Sequence, residues 1–500
     1  MQHEHSPPAA HHPPRTPSVR TSPGSGPDFA AQLKGRVVCV AGLGVSGPPV
    51  ARALLARQAR VVVVDGRDDD TTRPIAADLT SEGAEVVLGA TPLPDDCDLV
   101  VTSPGWRPDS PLLLRAAEAG VEVIGDVELA WRLKPADQVW LAITGTNGKT
   151  TTVRMLESVL RADGRDALAV GNVGTPIIDA VLPDTDGRYH DVLAVELSSF
   201  QLHWSSSVRP YAAVVLNVAA DHLDWHGGLD PYARAKGRVF ARGTVRVVNT
   251  ADAWSVRLAE EDGDPHTPLV GFRLDTPRPG ELGVVEDLLV DRAFVADPVG
   301  SAEELATLAD VRPAAPHNVA NALAAAALAR SVGVAPAAVR AGLAAFEPEP
   351  HRISHVATVG GVDYVDDSKA TNPHAAAASL NSYTSVVWVA GGLLKGAEVD
   401  ELVAEAASRL RGAVLIGRDR ARIREALDRH APEVPVVEVE GPAEDAPGRP
   451  TVMDTVVAEA AALAEEGDTV LLAPAAASMD MFTNYPERGR FFADAVHRLL

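Results

Sequence analysis

Along this chain the apolar residues fall into short unbroken runs, each followed by a small-residue turn and then by apolar positions at helical spacing. "GRVVCVAG" predicts a strand, "LGVSG" a turn, "PPVARALLARQA" a helix and "RVVVVDG" a second strand ending on an acid. "CDLVVTSPG" and "VEVIGD" add two further strands, so residues 31–132 are expected to form one α/β sheet domain. The pattern restarts at "QVWLAITGTNGKTTTVRMLESVLRADG", again strand, glycine loop and helix, with "DVLAVELSS", "YAAVVLNVA" and "TVRVVNT" as later strands. Residues 260–312 break into "PLVGFRL", "LGVVED" and "DLLVDRAFV", which predicts a small antiparallel meander. "HNVANALAAAALARSVG" reads as a buried helix ended by Gly333, and the proline-rich "EPEPHR" closes a second domain, 133–348. Strands "VDYVDD", "SVVWVAGG", "AVLIG", "VPVVEVE" and "DTVLLAP", separated by helical segments, fill a third, 349–500. Three consecutive α/β domains are expected, with ligands where strand ends open at the junctions. Residues 1–30 carry no apolar pattern; their Pro, His, Ser and Gly content predicts a disordered tail rather than a signal peptide or a histidine metal site.

Length agrees with that division, since 500 residues exceed what one core supports. A formal charge of −23 argues against nucleic acid or an anionic membrane as partner, and no apolar run reaches the roughly 20 residues of a membrane helix. The two cysteines, Cys39 and Cys97, make no CxxC, so neither a disulfide framework nor a thiolate zinc site is expected, and a reducing cytoplasm is. Only Lys34, Lys134, Lys149, Lys236, Lys369 and Lys395 are lysines among 45 basic residues. Where arginine is the default cation, a retained lysine is a candidate for chemistry that needs a primary amine.

Two glycine loops carry the first chemical signals. Gly42, Gly44 and Gly47 have GxGxxG spacing after a strand, with Asp65 where a ribose-binding acid is expected. Backbone amides at a helix start can cradle any diphosphate, so this loop admits NAD, a UDP group or a purely structural turn. "ITGTNGKTT" is sharper: Gly148, Lys149 and Thr150 give the GK[ST] end of a phosphate loop, shortened because Ile143 stands where its first glycine is usual. Its amides and Lys149 are expected to hold β- and γ-phosphates, and Thr150 a Mg²⁺ ion. Two phosphate-type loops disfavour a dehydrogenase and favour ATP-driven chemistry on a second nucleotide-bearing molecule. Glu196 at a strand end, with His222 and Asp224 beyond another, reads after a phosphate loop as an oxygen-rich magnesium site with one imidazole, although each residue alone is more often a cap or a satisfied side chain. Asn318 and Asn321 open the alanine-rich helix; Arg352 lies at the hinge, where a guanidinium can clamp a γ-phosphate. Asp367, Ser368, Lys369, Thr371 and Asn372 crowd one loop beyond what capping needs.

The succession "GTNGKT", "GNVG", "ELSSFQL", "DHLD", "RAK", "HNVANALAA", "PHR", "DSKATN", "GGLLKG" and "ASMDMFTNYPERG" resembles the Mur ligase family from about residue 35 to the end. "GTNGKT" and "HNVANALAA" are shared across the superfamily, which includes folylpolyglutamate synthase; "ELSSFQL" and "DSKATN" resemble the branch that adds D-glutamate. The resemblance implies a Rossmann-like N-terminal domain, a central P-loop ATPase-type domain and a Rossmann-like C-terminal domain. It implies an ATP-dependent ligase joining D-glutamate to UDP-N-acetylmuramoyl-L-alanine through an acyl phosphate, as a cytoplasmic monomer making peptidoglycan precursors. Gly145, Thr146, Asn147, Gly148, Lys149, Thr150 and Thr151 would hold the ATP phosphates, completed by Asn321, Arg352, Asp367 and Lys369. Thr150 and Glu196 would hold one Mg²⁺; His222 and Lys236, the latter carbamylated, a second. Val45, Ser46, Gly66, Arg67 and Gly105 would meet the uridine diphosphate, and Asn172 and Ser198 the rest of that substrate. Thr371, Lys395, Ser478 and Tyr485 would meet D-glutamate. The pattern departs from the family in "APAAAS", which lacks a cysteine often found there, and in Tyr485, where phenylalanine is common. The alternatives are another amide ligase of the superfamily, folylpolyglutamate-synthase-like or using a different amino acid, and a nucleotide-binding switch.

Overall fold

The computed structural model describes residues 27–348, 350–440 and 451–499; most of the N-terminal tail expected from the sequence lies outside the described residues. Among the described residues, those from 27 to 139 together with Pro176–Asp191 form one compact unit, and Trp140–Thr175 with those from Val192 onward form a second. Among the described residues no helix is long and apolar enough to cross a membrane.

The first unit is built on a five-stranded parallel sheet in the order Glu85–Leu88, Arg60–Asp65, Val37–Ala41, Leu99–Thr102, Glu122–Gly125. Its central strands are buried along nearly their whole length, which is why they read as unbroken Val runs rather than as alternation. Val37–Ala41 lies in the middle, and the strand order reverses beside it, so its carboxyl end opens a crevice. The glycines after that strand are steric requirements. A Cβ on Gly47 would stand 1.9 Å from the Gly42 carbonyl oxygen, and one on Gly42 (φ 104°) 3.0 Å from the Ser103 hydroxyl and the Trp106 indole nitrogen. A short helix, Ile177–Ala180, packs in this unit against the helices Gly47–Leu55 and Asp126–Leu133.

The second unit holds two sheets. The larger runs Glu303–Thr307, Leu288–Asp291, Glu281–Val285, Leu269–Phe272, Val245–Asn249, Ala212–Val215, Val139–Thr144, Val192–Glu196, Ala167–Gly171. The meander expected over 260–312 is antiparallel only in its last three strands; Leu269–Phe272 instead continues the parallel sheet beside Val245–Asn249. Two helices matter for the site. Lys149–Ala162 follows the phosphate loop, and Pro316–Ser331 packs beside it, with every residue from Ala322 to Ala329 fully buried. The smaller sheet has the order Ser354–Val359, Val362–Asp366, Thr469–Leu472, Val386–Gly391, Leu410–Ile416, Val436–Glu438. Its first strand, not anticipated from the sequence, pairs antiparallel through a turn at Gly360 and Gly361, both at positive φ. The other five are parallel, and Trp388 anchors their core by donating its indole N–H to the Ala473 carbonyl at 2.7 Å.

Candidate active site

A cleft of about 650 Å³ opens in the second unit between the carboxyl ends of its two sheets. Its floor is the phosphate loop, fixed where strand Val139–Thr144 hands over to helix Lys149–Ala162. Gly148 closes that turn at φ 82°, and a Cβ there would meet Asn321 Oδ1 at 2.5 Å, so both conformation and space demand glycine. Lys149 curls back to donate to the carbonyls of Gly145 (2.9 Å) and Thr146 (2.8 Å), and burial lowers its pKa. The loop is braced from both sides. The Thr146 hydroxyl lies 3.0 Å from that of Tyr232, and Asn217 exchanges two hydrogen bonds with the Asn147 backbone, N–H to Oδ1 at 2.9 Å and Nδ2 to O at 3.2 Å.

Glu196 is 1% exposed, with Oε1 accepting from Asn172 Nδ2 at 2.9 Å and Oε2 buried without a hydrogen-bond partner. An ionised oxygen left unpaired in that position is costly unless a cation arrives. Among the described residues no three His, Cys, Asp or Glu side chains gather into a metal cluster. A metal here would therefore draw most of its shell from phosphate oxygens and water around Glu196 and Thr150, which suits Mg²⁺ and excludes a protein-caged metal.

Lys236 is 1% exposed and donates to the Gly145 carbonyl at 2.8 Å, its Nζ lying 4.5 Å from the Tyr232 ring centroid. Burial, reinforced by the nearby Lys149 cation, pushes its pKa well below that of an ordinary lysine, against the opposing pull of Asp221 and Glu196. His222 sits in the left-handed region (φ 52°), edge-on to Phe200 with ring centroids 4.8 Å apart. Its pKa is lowered by burial first, then by Lys395, Lys236 and Lys149, while Asp221 opposes.

The far wall belongs to the smaller sheet. Arg352, Asp367, Lys369, Thr371 and Tyr485 all line the cleft, with Lys369 Nζ 4.0 Å from the Tyr485 ring centroid. Burial raises the Asp367 carboxyl to about 6, countered in part by the Ser379 hydroxyl and the Arg352 charge. The cleft thus joins Thr146 to Thr151, Asn172, Glu196, His222, Asn321, Arg352, Asp367, Lys369, Thr371 and Tyr485. Ser198, Lys236, Lys395 and Ser478 do not line it. Ser478 is buried, Lys236 lies beneath the loop, Lys395 reaches His222 electrostatically, and the Ser198 hydroxyl is taken up in a capping box with Gln201. Asn217, Asp221, Tyr232 and His374 belong to the same neighbourhood and were not singled out from the sequence; Asn372, noted there among the crowded polar residues of its loop, joins them.

In the first unit, Val45 is 82% exposed at the tip of its glycine loop, and the Ser46 hydroxyl pairs with Asp126 Oδ2 at 2.8 Å. Asp65 spends its carboxylate locally, accepting from Leu43 N–H at 2.8 Å and from Arg67 through Nε, Nη2 and the backbone N–H. Burial alone would raise its pKa; the Arg67 and Leu43 hydrogen bonds outweigh that and lower it. The acid that spacing marks for a ribose is therefore a brace for its own loop. Gly66, next in the chain, is exposed, as is Gly105.

A phosphate loop with a buried, half-satisfied acid, facing a second α/β lobe rich in cations, defines an ATP-using ligase, and the chain belongs to the Mur ligase family. The family's N-terminal domain of MurD-like type matches residues 36–125, its middle domain 143–329, and its glutamate ligase domain 351–476. Among relatives, the UDP-N-acetylmuramoylalanine--D-glutamate ligase of Thermobifida fusca is 70% identical, the match covering 94% of this chain and 99% of that one. The enzymes of the same name from Streptomyces avermitilis and Streptomyces coelicolor are 58% and 57% identical, each covered to 99% by matches spanning 93% and 94% of this chain. The fold is also that of a pseudomurein peptide ligase type C from Methanothermus fervidus (TM-score 0.53, 18% identity, 93% of this chain and 100% of that one). The UDP-N-acetylmuramate-alanine ligase of Thermotoga maritima is as similar (TM-score 0.53, 19% identity, 93% and 99%).

Proposed function

We propose that this chain joins the amine of D-glutamate to the carboxyl of UDP-N-acetylmuramoyl-L-alanine, cleaving ATP to ADP and phosphate, in the cytoplasmic assembly of peptidoglycan precursors. The observation that carries the reading is the cleft itself, which sets the phosphate loop and Glu196 opposite Arg352, Asp367, Lys369 and Thr371. Carboxylates do not acylate amines at useful rates, so ATP must first supply a leaving group. The substrate carboxylate attacks the γ-phosphorus and ADP departs. The D-glutamate nitrogen then attacks the resulting acyl phosphate, and the tetrahedral adduct collapses with loss of phosphate.

The protein's share of this is positioning and charge neutralisation. Gly145 to Thr151 hold the phosphates, Lys149 exchanging its loop carbonyls for phosphate oxygens, with Asn321, Arg352, Asp367 and Lys369 completing the site. Thr371, Lys395, Ser478 and Tyr485 receive D-glutamate; Asn172 and Ser198 meet the muramoyl substrate, whose uridine diphosphate rests on Val45, Ser46, Gly66, Arg67 and Gly105. Divalent cations, when bound, neutralise the phosphate charge; Thr150 and Glu196 would hold one and His222 with Lys236 a second. A lysine ammonium is a poor neighbour for a cation. The Lys236 amine, whose burial favours its neutral form, is instead suited to take up CO₂, forming an N–C bond and releasing one proton to leave an oxygen-bearing carbamate. Arginine stays protonated and cannot do this, a reason for "ARAKGR" to keep its lysine.

The test is phosphate release from ATP with UDP-N-acetylmuramoyl-L-alanine and single amino acids. D-glutamate is expected to drive it; release with L-glutamate or another amino acid in its place overturns the assignment.

A further inference from the structure

The phosphate loop meets the D-glutamate loop where Asn147 joins two side chains, Asn372 and His374, that no role assigned above uses. Asn372 Nδ2 donates to Asn147 Oδ1 at 3.1 Å, and Asn147 Nδ2 returns a bond to Asn372 Oδ1 at 3.4 Å. The other Asn147 Nδ2 proton points at His374 Nδ1, 2.9 Å away. Both N–H donors of the Asn147 amide and one acceptor site of its oxygen are thereby used, while its backbone is pinned by Asn217. On the opposite side Asn372 is equally committed, because its Oδ1 also accepts from Ala375 N–H at 2.9 Å and caps helix Pro373–Leu380. An amide donor fixes His374 as the acceptor, hence a neutral ring with its proton on Nε2. Burial of the ring favours that neutral form, against the pull of Asp252 and Glu405.

We infer that Asn372 and His374 are positioning residues which, through Asn147, hold the phosphate loop and the Lys369–Thr371 loop in one register. The inference rests on the ligase reading above and deepens it. Asn147 sits within the phosphate loop just before Gly148, and Asn372 directly follows Thr371, so the latch joins one binding loop to the end of the other. Bond formation between the activated carboxyl and the D-glutamate amine requires these loops to stay at a fixed separation, and a small misplacement is costly in rate. Asn372 and His374 are given no contact with either reacting group; they act through the loops they tie.

His374→Leu removes the acceptor, whereas His374→Asn returns an amide oxygen near the place of Nδ1. With ATP and the uridine substrate saturating, His374→Leu is expected to lower kcat/KM for D-glutamate about fivefold, the scale of one partly exposed hydrogen bond. ADP affinity is expected to stay within about twofold, and His374→Asn to come back close to wild type. In a double-mutant cycle, adding His374→Leu to Asn147→Ala is expected to cost nothing further. Should His374→Leu not fold, His374→Ala takes its place in both measurements. Equal loss in the Leu and Asn variants, additive losses in the cycle, or a shifted melting point with unchanged kcat/KM overturns the latch. If wild type turns over a different amino acid, the ratios are taken with that one; the latch then stands or falls apart from the choice of substrate.

Discussion

Replacing Asp367 with asparagine should make the protein more stable at pH 8 and leave it unchanged at pH 4. The carboxyl is raised from 3.8 to about 6, burial being the main cause and Asp366 adding to it, while Ser379, Arg352 and the Ile353 N–H offset part. A raised folded-state pKa means that the folded protein binds the proton more tightly than the unfolded chain does. The associated stability is complete below about pH 4 and is lost as pH rises through about 6. At roughly 1.4 kcal/mol per unit, the ionised carboxylate costs the folded state about 3 kcal/mol at pH 8. Asparagine is nearly isosteric, still accepts from the Ser379 hydroxyl and never ionises. The difference between variant and wild type therefore isolates this group from every other carboxylate. For the C-terminal α/β lobe, about 3 kcal/mol corresponds to a gap of about 6–12 °C in melting temperature. Thermal unfolding of both proteins every half unit from pH 4 to 8 should show the gap opening between about 4 and 6 and staying constant above 7. The same substitution should abolish turnover, since the destabilising charge faces the nucleotide cleft where a cation or Arg352 can use it. A gap that is flat with pH, or a variant less stable than wild type at pH 8, refutes the reasoning.

Lys236→Ala should be nearly inactive and partly revived by acetate or another short carboxylate; wild type should slow in CO₂-depleted buffer and recover with bicarbonate. Normal activity in Lys236→Arg, which keeps the charge but cannot be carbamylated, sinks the carbamate. Arg352→Ala should cut turnover by about 100-fold or more, the scale of a lost cation at transferring phosphate, while moving the melting point by only a few degrees. A large loss of stability with turnover preserved would show the arginine to be a scaffold residue.

How much of this could be read from the sequence depends on whether a residue's role is local. The handover from "VWLAIT" to "KTTTVRMLES" is local: a buried strand, a glycine that must be left-handed and a helix start define the phosphate loop without tertiary information. Asp65 shows the limit of spacing, because its distance from the glycines is the same whether it awaits a ribose or braces Leu43 and Arg67. Ser198 shows the limit of motif identity, since S-S-F-Q is equally a capping box and a binding loop. The edge strand Ser354–Val359 passed unnoticed although the Gly360–Gly361 turn announced a hairpin. Asn147 lies more than 200 residues from Asn372 and His374 in the chain, and no local pattern pairs an amide with an imidazole across that distance.

The helix Pro316–Ser331 carries a consequence for anyone mapping tolerance to substitution. From Ala322 to Ala329 no side chain reaches solvent, and six of those eight residues are alanine. Small residues let this helix lie close against Lys149–Ala162 and the strands beneath, leaving no room for even an added methylene. Enlarging any of these alanines would push on the helix that begins at Lys149 and on the Asn318–Asn321 end that borders the cleft. A saturation screen scored by growth would thus paint a chemically inert stretch with the same intolerance as the phosphate loop. Only the size dependence tells them apart: here glycine and serine should be the survivors, whereas at Lys149 no residue should be.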